Sequence, residues 1–253
     1  MGNLGDIKKS TISKQLAYPH EFFTQRVGES DYTAKTVFDL LEKVLPSLKS
    51  TVDIGCGTGT WLANFKKLGV PVVLGYDGKL LDLSLLEISR KSFICQDLTK
   101  PIVNPEKFDL AICLEVAEHL PEQSAKTLVD SLCSLSDFIL FSAAIPGQGG
   151  LHHLNEQWQE YWVAQFENKG FVAFDYIRPR IWNDSKIQFW YKQNILIFAK
   201  SERSGELNEP EDNCLNPNLV HPDLHAHKCE MDGATEKFSL KDMTSRILKK
   251  FFP

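Results

Sequence analysis

The stretch Asp53-Ile54-Gly55-Cys56-Gly57-Thr58-Gly59-Thr60, preceded by Thr51-Val52, constrains this chain more than any other. A short apolar run, three glycines spaced by two and a following helical pattern make a strand–turn–helix unit. Without Cβ atoms the loop turns sharply and can lie against a ligand. Open α/β sheets bind nucleotide-like groups at such turns. The dinucleotide fingerprint counted from Gly55 would need glycine at position 60, where Thr60 stands.

Carboxylates then recur at the spacing of successive βα units. Val72-Val73-Leu74-Gly75-Tyr76 is a short apolar strand ending in Asp77-Gly78, and Asp77 lies twenty positions after Gly57. A carboxylate there suits two ribose hydroxyls. Ser92-Phe93-Ile94-Cys95 is a third strand, followed by Gln96-Asp97-Leu98, where Asp97 suits an exocyclic amine and Leu98 an adenine face. The fourth strand, Phe108 to Leu114, leads into Glu115-Val116-Ala117-Glu118-His119-Leu120-Pro121. Taken singly, each Asp is an ordinary cap or loop residue. Three acids at the carboxyl ends of successive strands mark the ligand edge.

At these residues the chain resembles the S-adenosylmethionine-dependent methyltransferases of the Rossmann-like class. Val52 to Gly59 looks like their first motif, Tyr76-Asp77-Gly78 like their ribose-binding acid and Gln96-Asp97-Leu98 like their adenine-binding acid. Leu114 to Leu120 resembles the segment after the fourth strand in the broad methyltransferase-domain families. Phe141 to Gly150, His153 to Trp158 and Trp190 to Asn194 are similar to signatures of a subgroup met in bacterial glycan and natural-product gene clusters. The resemblance implies an α/β fold, a Rossmann-like, doubly wound, mostly parallel seven-stranded sheet with an antiparallel last strand. It implies S-adenosylmethionine as cofactor, held by Asp53, Gly55, Cys56, Gly57, Gly59, Asp77, Gly78, Asp97 and Leu98, with Glu115 toward its methionine end.

The rest of the chain fits that architecture. Val37, Phe38, Leu41, Val44 and Leu45 make one helical face over Thr33 to Leu45, and Ala125, Leu128, Val129 and Leu132 another after Pro121. Asp137 to Ala144 reads as a fifth strand, Trp158 to Gln165 as a helix stopped by Gly170, and Phe171–Ile177 and Asn194–Ala199 as the last strands. The expected division is an N-terminal lid or tail over 1–30, a cofactor-binding domain over 31–200 and a C-terminal extension over 201–253. Pro210, Pro217 and Pro222 argue against regular structure in that extension, and Ser239 to Phe252 reads as a short amphipathic helix. Cys214, His221, His225, His227 and Cys229 match no standard zinc spacing, and read as a histidine-rich surface loop.

A net charge of −5 argues against a general nucleic-acid surface. No apolar run approaches the roughly 20 residues of a membrane span, and no secretory signal is evident, so a cytoplasmic protein is expected. Six cysteines, at 56, 95, 113, 133, 214 and 229, read as free thiols, buried where they lie in strands. The expected partner is a small-molecule acceptor; the sequence fixes no oligomeric state.

Methyl transfer from a sulfonium is an in-line displacement, so alignment supplies most of the rate, roughly 7–11 kcal/mol. The sulfonium brings its own leaving group, and no metal is expected. A hydroxyl acceptor still needs its proton removed, worth roughly 10²–10⁴ in rate. His153 is the favoured base, with a glycine-rich loop before it and Asn155 to orient it; His119 and Glu115 are the other catalytic candidates. Glu118 is expected to face solvent. His152, Asn155, Trp158, Arg180, Trp190 and Tyr191 are the candidate acceptor contacts, and Arg178 with Arg180 hints at an anionic group. The expected reaction is methylation of a hydroxyl on a sugar or a glycan or natural-product precursor. N- or carboxyl methylation is the alternative, and a non-catalytic cofactor-binding scaffold the rival from another class.

Overall fold

A computed structural model of the protein describes residues 27–78, 83–208 and 215–231. The expected lid over most of 1–30, Cys214 and the helix at Ser239–Phe252 lie outside the described residues. In chain order the elements are α1 (Val27–Val44), β1 (Ser50–Ile54), α2 (Thr60–Lys67), β2 (Val72–Asp77), β3 (Phe93–Cys95) and β4 (Leu110–Leu114). There follow α3 (Ala125–Leu135), β5 (Phe138–Ser142), α4 (Gln159–Glu167), β6 (Phe171–Phe174), α5 (Arg178–Ile181), α6 (Phe189–Asn194) and β7 (Leu196–Lys200). A further helix, α7, covers 222–231.

Seven strands form one sheet in the order β3-β2-β1-β4-β5-β7-β6. β1 to β5 pair in parallel, and β7 runs antiparallel to both β5 and β6. The order reverses direction between β1 and β4, the crevice where open sheets of this kind bind ligands. Alternation along the buried strands feeds two cores. Phe138 and Leu140 of β5 join α1 and α2 on one face, while Ile139 and Phe141 join α3 and α4 on the other. A side-chain period of two on a strand covered on both faces gives this division. Phe141, Trp162, Phe166 and Phe198 pack tilted, edge-on or stacked in the second layer, so Trp162 and Phe166 of α4 are core.

Two expectations change. α1 begins at Val27, before Thr33, since the apolar stripe read from sequence starts only at Val37 and does not mark the helix start. The extension is not irregular throughout: 222–231 is helical despite Pro222. Proline is tolerated at a first helical position, and His221 Nδ1 accepts from Asp223 N at 3.1 Å to close the helix start. No described helix is long and apolar enough to cross a membrane.

Candidate functional site

The glycine loop leaves β1 and enters α2 with Gly55, Gly57 and Gly59 all at positive φ. A Cβ at Gly55 would fall 2.3 Å from Val116 Cγ2, so the turn and the segment after β4 approach too closely for any other residue. Backbone N–H groups of Gly55 and Cys56 both donate to the Tyr76 carbonyl, at 2.8 and 3.1 Å, which ties the loop to the end of β2. From outside, Glu87 accepts from the hydroxyls of Thr58 and Thr60 and donates its own N–H to the Thr58 carbonyl.

Asp77 closes β2 beside this loop. Its Oδ2 accepts from Gly57 N at 2.7 Å and its Oδ1 from Gly78 N at 2.6 Å. Each oxygen keeps a lone-pair site, so the carboxylate is preset to receive two further donors such as vicinal hydroxyls. Burial raises the Asp77 pKa, opposed by those two amides. Burial, then the Asp77 charge, pushes Asp53 well above the usual carboxylate range. The Cys56 thiol is pushed well up by burial and both acids, which keeps it neutral. Asp97 is exposed, its Oδ1 taken by Thr99 N and Oγ1 at 2.9 and 2.7 Å, while Leu98 packs into the core. A close-packed glycine cradle with acids at the ends of β1, β2 and β3 fits S-adenosylmethionine in its donor set.

Across the crevice, Glu115 sits at φ 54 directly after β4. Its N–H donates to the Ser142 carbonyl and hydroxyl, at 3.0 and 3.1 Å. Its carboxylate accepts from Gln148 Nε2 at 2.9 Å and Asn194 Nδ2 at 3.1 Å. Asn194 also bonds Gln148 and Gln159, so four polar side chains form one buried chain. Burial raises the Glu115 pKa, and donation from Asn194, Gln148 and Ser142 works against it.

Glu118 corrects the expectation of a solvated residue. It is fully buried, and neither carboxylate oxygen has a hydrogen-bond partner. The cause is a loop distant in sequence: the Glu118 backbone carbonyl accepts from both the Leu154 and Asn155 amides, at 2.7 and 3.0 Å. That pins the loop after β5 over the short turn Ala117–His119 and folds Glu118 beneath it. The same pinning brings His119 and His153 together, ring centroids 4.8 Å apart and nearly perpendicular. Among the described residues, the ligand atoms of Glu118, His119 and His153 lie within 4.8 Å of one another.

His153 is oriented by Glu156, not by Asn155. Nδ1 of His153 lies 2.8 Å from Glu156 Oε1. Asn155 is buried and accepts from Gln157, because its amide serves the Glu118 carbonyl and its side chain turns inward. His152 is exposed, with its backbone at φ 63. Arg178 is also corrected. Fully buried, it pairs with Asp175 at 2.9 and 2.7 Å and donates to the carbonyls of Gln193, Asn216 and Pro217, so it is spent on structure. Arg180 is exposed, stacked 3.7 Å from the Tyr176 ring centre. Trp190 packs near Phe189 and Tyr191, Tyr191 meets Trp61 edge-on, and Trp158 is exposed at the start of α4.

The C-terminal histidines do not converge. Among the described residues, His221 is buried against Trp182, His227 lies beside Phe189, and His225 and Cys229 approach at 3.8 Å. Cys95 is exposed on β3, not buried, because that short strand forms the sheet edge; the five described cysteines are free. Sequence reasoning missed Glu87, Glu156, Gln148 and Asn194 as partners of the site. The last two stand in the signatures at Phe141–Gly150 and Trp190–Asn194, which carried the signal without a role.

A family profile described as a methyltransferase domain matches residues 29–178. No curated protein sequence matches the chain. Among solved structures, CalS10 from Micromonospora echinaspora, an amino pentose methyltransferase of calicheamicin biosynthesis with bound SAM, is similar at 14% identity and TM-score 0.52, over 74% of this chain and 98% of that one. DesVI from Streptomyces venezuelae is similar at 14% identity and TM-score 0.51, over 71% and 96%. These likenesses bear on the fold. With the profile spanning more than half of the 253 residues, and the glycine cradle and acidic strand ends in place, the chain belongs to the methyltransferase-domain family of S-adenosylmethionine-dependent methyltransferases.

Proposed function

We propose that the protein methylates a hydroxyl of a small polar metabolite, a sugar or a glycan or natural-product precursor. Bound S-adenosylmethionine supplies an electrophilic methyl group. Gly55, Cys56, Gly57 and Gly59 give the close-approach surface for it, with Asp53 behind. Asp77 and Gly78 receive the ribose, Asp97 and Leu98 border the adenine, and Glu115 faces the amino-acid end. Glu115 is held by Gln148 and Asn194, so its position does not depend on the ligand.

The observation that carries the hydroxyl reading is the His153–Glu156 pair on the carboxyl edge of the sheet. With Nδ1 engaged by a carboxylate, Nε2 of His153 is the ring atom left to accept the hydroxyl proton. His119 meets that ring edge-on and limits its rotation. His152, Trp158, Arg180, Trp190 and Tyr191 are assigned to the acceptor side, and Asn155, buried within the loop, acts through its amide bond to the Glu118 carbonyl. The likeness to CalS10, an amino pentose methyltransferase, supports a sugar-type acceptor without choosing between its hydroxyl and its amine. Free cysteines fit a reducing cytoplasm.

The test supplies cofactor with a ¹³C-labelled methyl group to panels of sugar, amine and carboxylate acceptors and reads the product by NMR. A methyl ether is expected, with His153→Ala lowering kcat by about 10²–10⁴ and leaving cofactor affinity nearly unchanged. An N-methyl or methyl-ester product would assign the alternative. Cofactor binding with no product from any class would favour the scaffold.

A further inference from the structure

We propose that Glu118, His119 and His153 form a binding site for one divalent transition-metal ion, placed to polarise the acceptor hydroxyl. Only the second part rests on the function proposed above.

Glu118 is the strongest pointer. A fully buried carboxylate ordinarily has two or three donors, and a protonated one needs an acceptor for its own O–H. Neither oxygen of Glu118 has such a partner. Burial, then the charge of Glu115, raises its pKa, with Glu156 adding to the effect and the amides of Glu118 and Ala144 opposing it. A cation bound at the cluster satisfies those oxygens and offsets three neighbouring carboxylates at once.

The donor set matches in kind and number. Ligand atoms about 2.0–2.2 Å from a common ion stand up to about 4.4 Å apart, and these three already lie within 4.8 Å. Two imidazoles and one carboxylate select a nitrogen-tolerant ion such as Zn²⁺, Mn²⁺, Fe²⁺ or Co²⁺ over Ca²⁺ or Mg²⁺. Three protein ligands leave open positions, as in catalytic rather than structural sites. The outer support is also present. Glu156 on Nδ1 of His153 fixes the tautomer that exposes Nε2, the carboxylate–histidine arrangement common around bound metals. A Cβ at Gly150 would stand 2.2 Å from Nε2 of His153, so only glycine leaves that ring atom room.

With an ion in place, His153 is a ligand and no longer the proton acceptor. The acceptor oxygen enters an open position, its O–H is acidified by the ion, and the proton passes to water.

The test uses the full chain carrying His225→Ala and Cys229→Ser, which removes the exposed histidine–cysteine pair as a competing site. The chelator-stripped protein is titrated with Co²⁺, without cofactor or acceptor, and followed by visible absorption and calorimetry. One equivalent with d–d bands is expected, lost in His119→Ala and in His153→Ala and weakened about 10–100-fold in Glu156→Gln. Glu118→Gln, which removes charge at constant shape, should also lose the ion while retaining S-adenosylhomocysteine binding as a check on folding. Binding no tighter in the parent than in His119→Ala or His153→Ala would overturn the site. Hydroxyl methylation persisting at full rate in metal-free protein would overturn its catalytic part and leave the proposed function standing. Stoichiometric metal with no methyl ether formed would overturn that function and leave the site standing.

Discussion

Asn194 Nδ2 donates to Glu115 Oε1 at 3.1 Å, joining the end of α6 to the turn after β4 across 79 residues of sequence. The same amide reaches Gln148 Oε1 at 2.9 Å, so one side chain gathers the end of α6 and the segments following β4 and β5 around the crevice.

Removing that amide should be costly. Asn194→Ala leaves the half-buried Glu115 carboxylate and the buried Gln148 each with one partner fewer, and we expect a loss of about 1–3 kcal/mol in urea unfolding. Gln148→Ala should behave similarly, and the double variant should lose less than the sum, because the two amides bond each other. Strict additivity would mean that they do not act as a unit.

Asp77→Ala should weaken S-adenosylmethionine binding by about 1.5–3 kcal/mol, measured by calorimetry. The variant also frees the Gly57 and Gly78 amides, so Asp77→Asn, which keeps acceptors on one oxygen, should lose less. Equal affinity in all three proteins would remove Asp77 from the ribose.

Arg178→Ala should be among the most damaging single changes. It strands Asp175, whose side chain is 6% exposed, and releases the carbonyls of Asn216 and Pro217. Breaking one half of a buried pair costs about 3–5 kcal/mol, readable as a shift in the denaturation midpoint. Limited proteolysis should then cut first within 215–231. Unchanged protection of that segment would show that His221 and Gln193 hold it without the arginine.

Acid sensitivity should appear at Asp137. Burial alone would raise its pKa, but the hydrogen bond and charge of Lys107, at 2.6 Å, and the hydrogen bond from Arg203 lower it below the ordinary value. A folded pKa below the unfolded one gives stability that is fully present above the unfolded pKa and lost as pH falls through the folded one. Asp137→Asn should therefore cost at most about 1 kcal/mol at pH 7 and nothing once the wild-type carboxylate is protonated, well below pH 4. Parallel unfolding curves at both pH values, with the gap unchanged, would exclude the ion pair as its source.

Most strands along the chain and the cofactor edge were legible because they rest on local signals, whereas the strand order in the sheet came only with the structure. Alternating or continuous apolar runs reveal β1, β2, β4 and β5, and the glycines before Thr60 reveal the turn. Glu118 was misread because burial of a charged residue in a three-residue turn follows from where a distant loop lands, not from periodicity. Asn155 lost the orienting role to Glu156 for a similar reason. Which polar neighbour reaches a ring nitrogen depends on loop φ values, such as 63 at His152, that sequence spacing does not encode. The α7 helix was missed because Pro222 was weighed as a breaker, whereas its position at a helix start makes it neutral.

β7, the last strand in sequence, lies between β5 and β6. A growing chain emerging from the ribosome therefore carries β5 and β6 with an open slot between them until residue 200 has been made. Asn194 stands two residues before that strand, so the polar brace on Glu115 arrives with the piece that fills the slot. Sheet closure and pocket completion become one late event, governed by a long-range pairing of the slow-forming kind. Chains interrupted before Leu196 would expose two unpaired strand edges, a template for association with other copies, and would lack the geometry for chemistry as well.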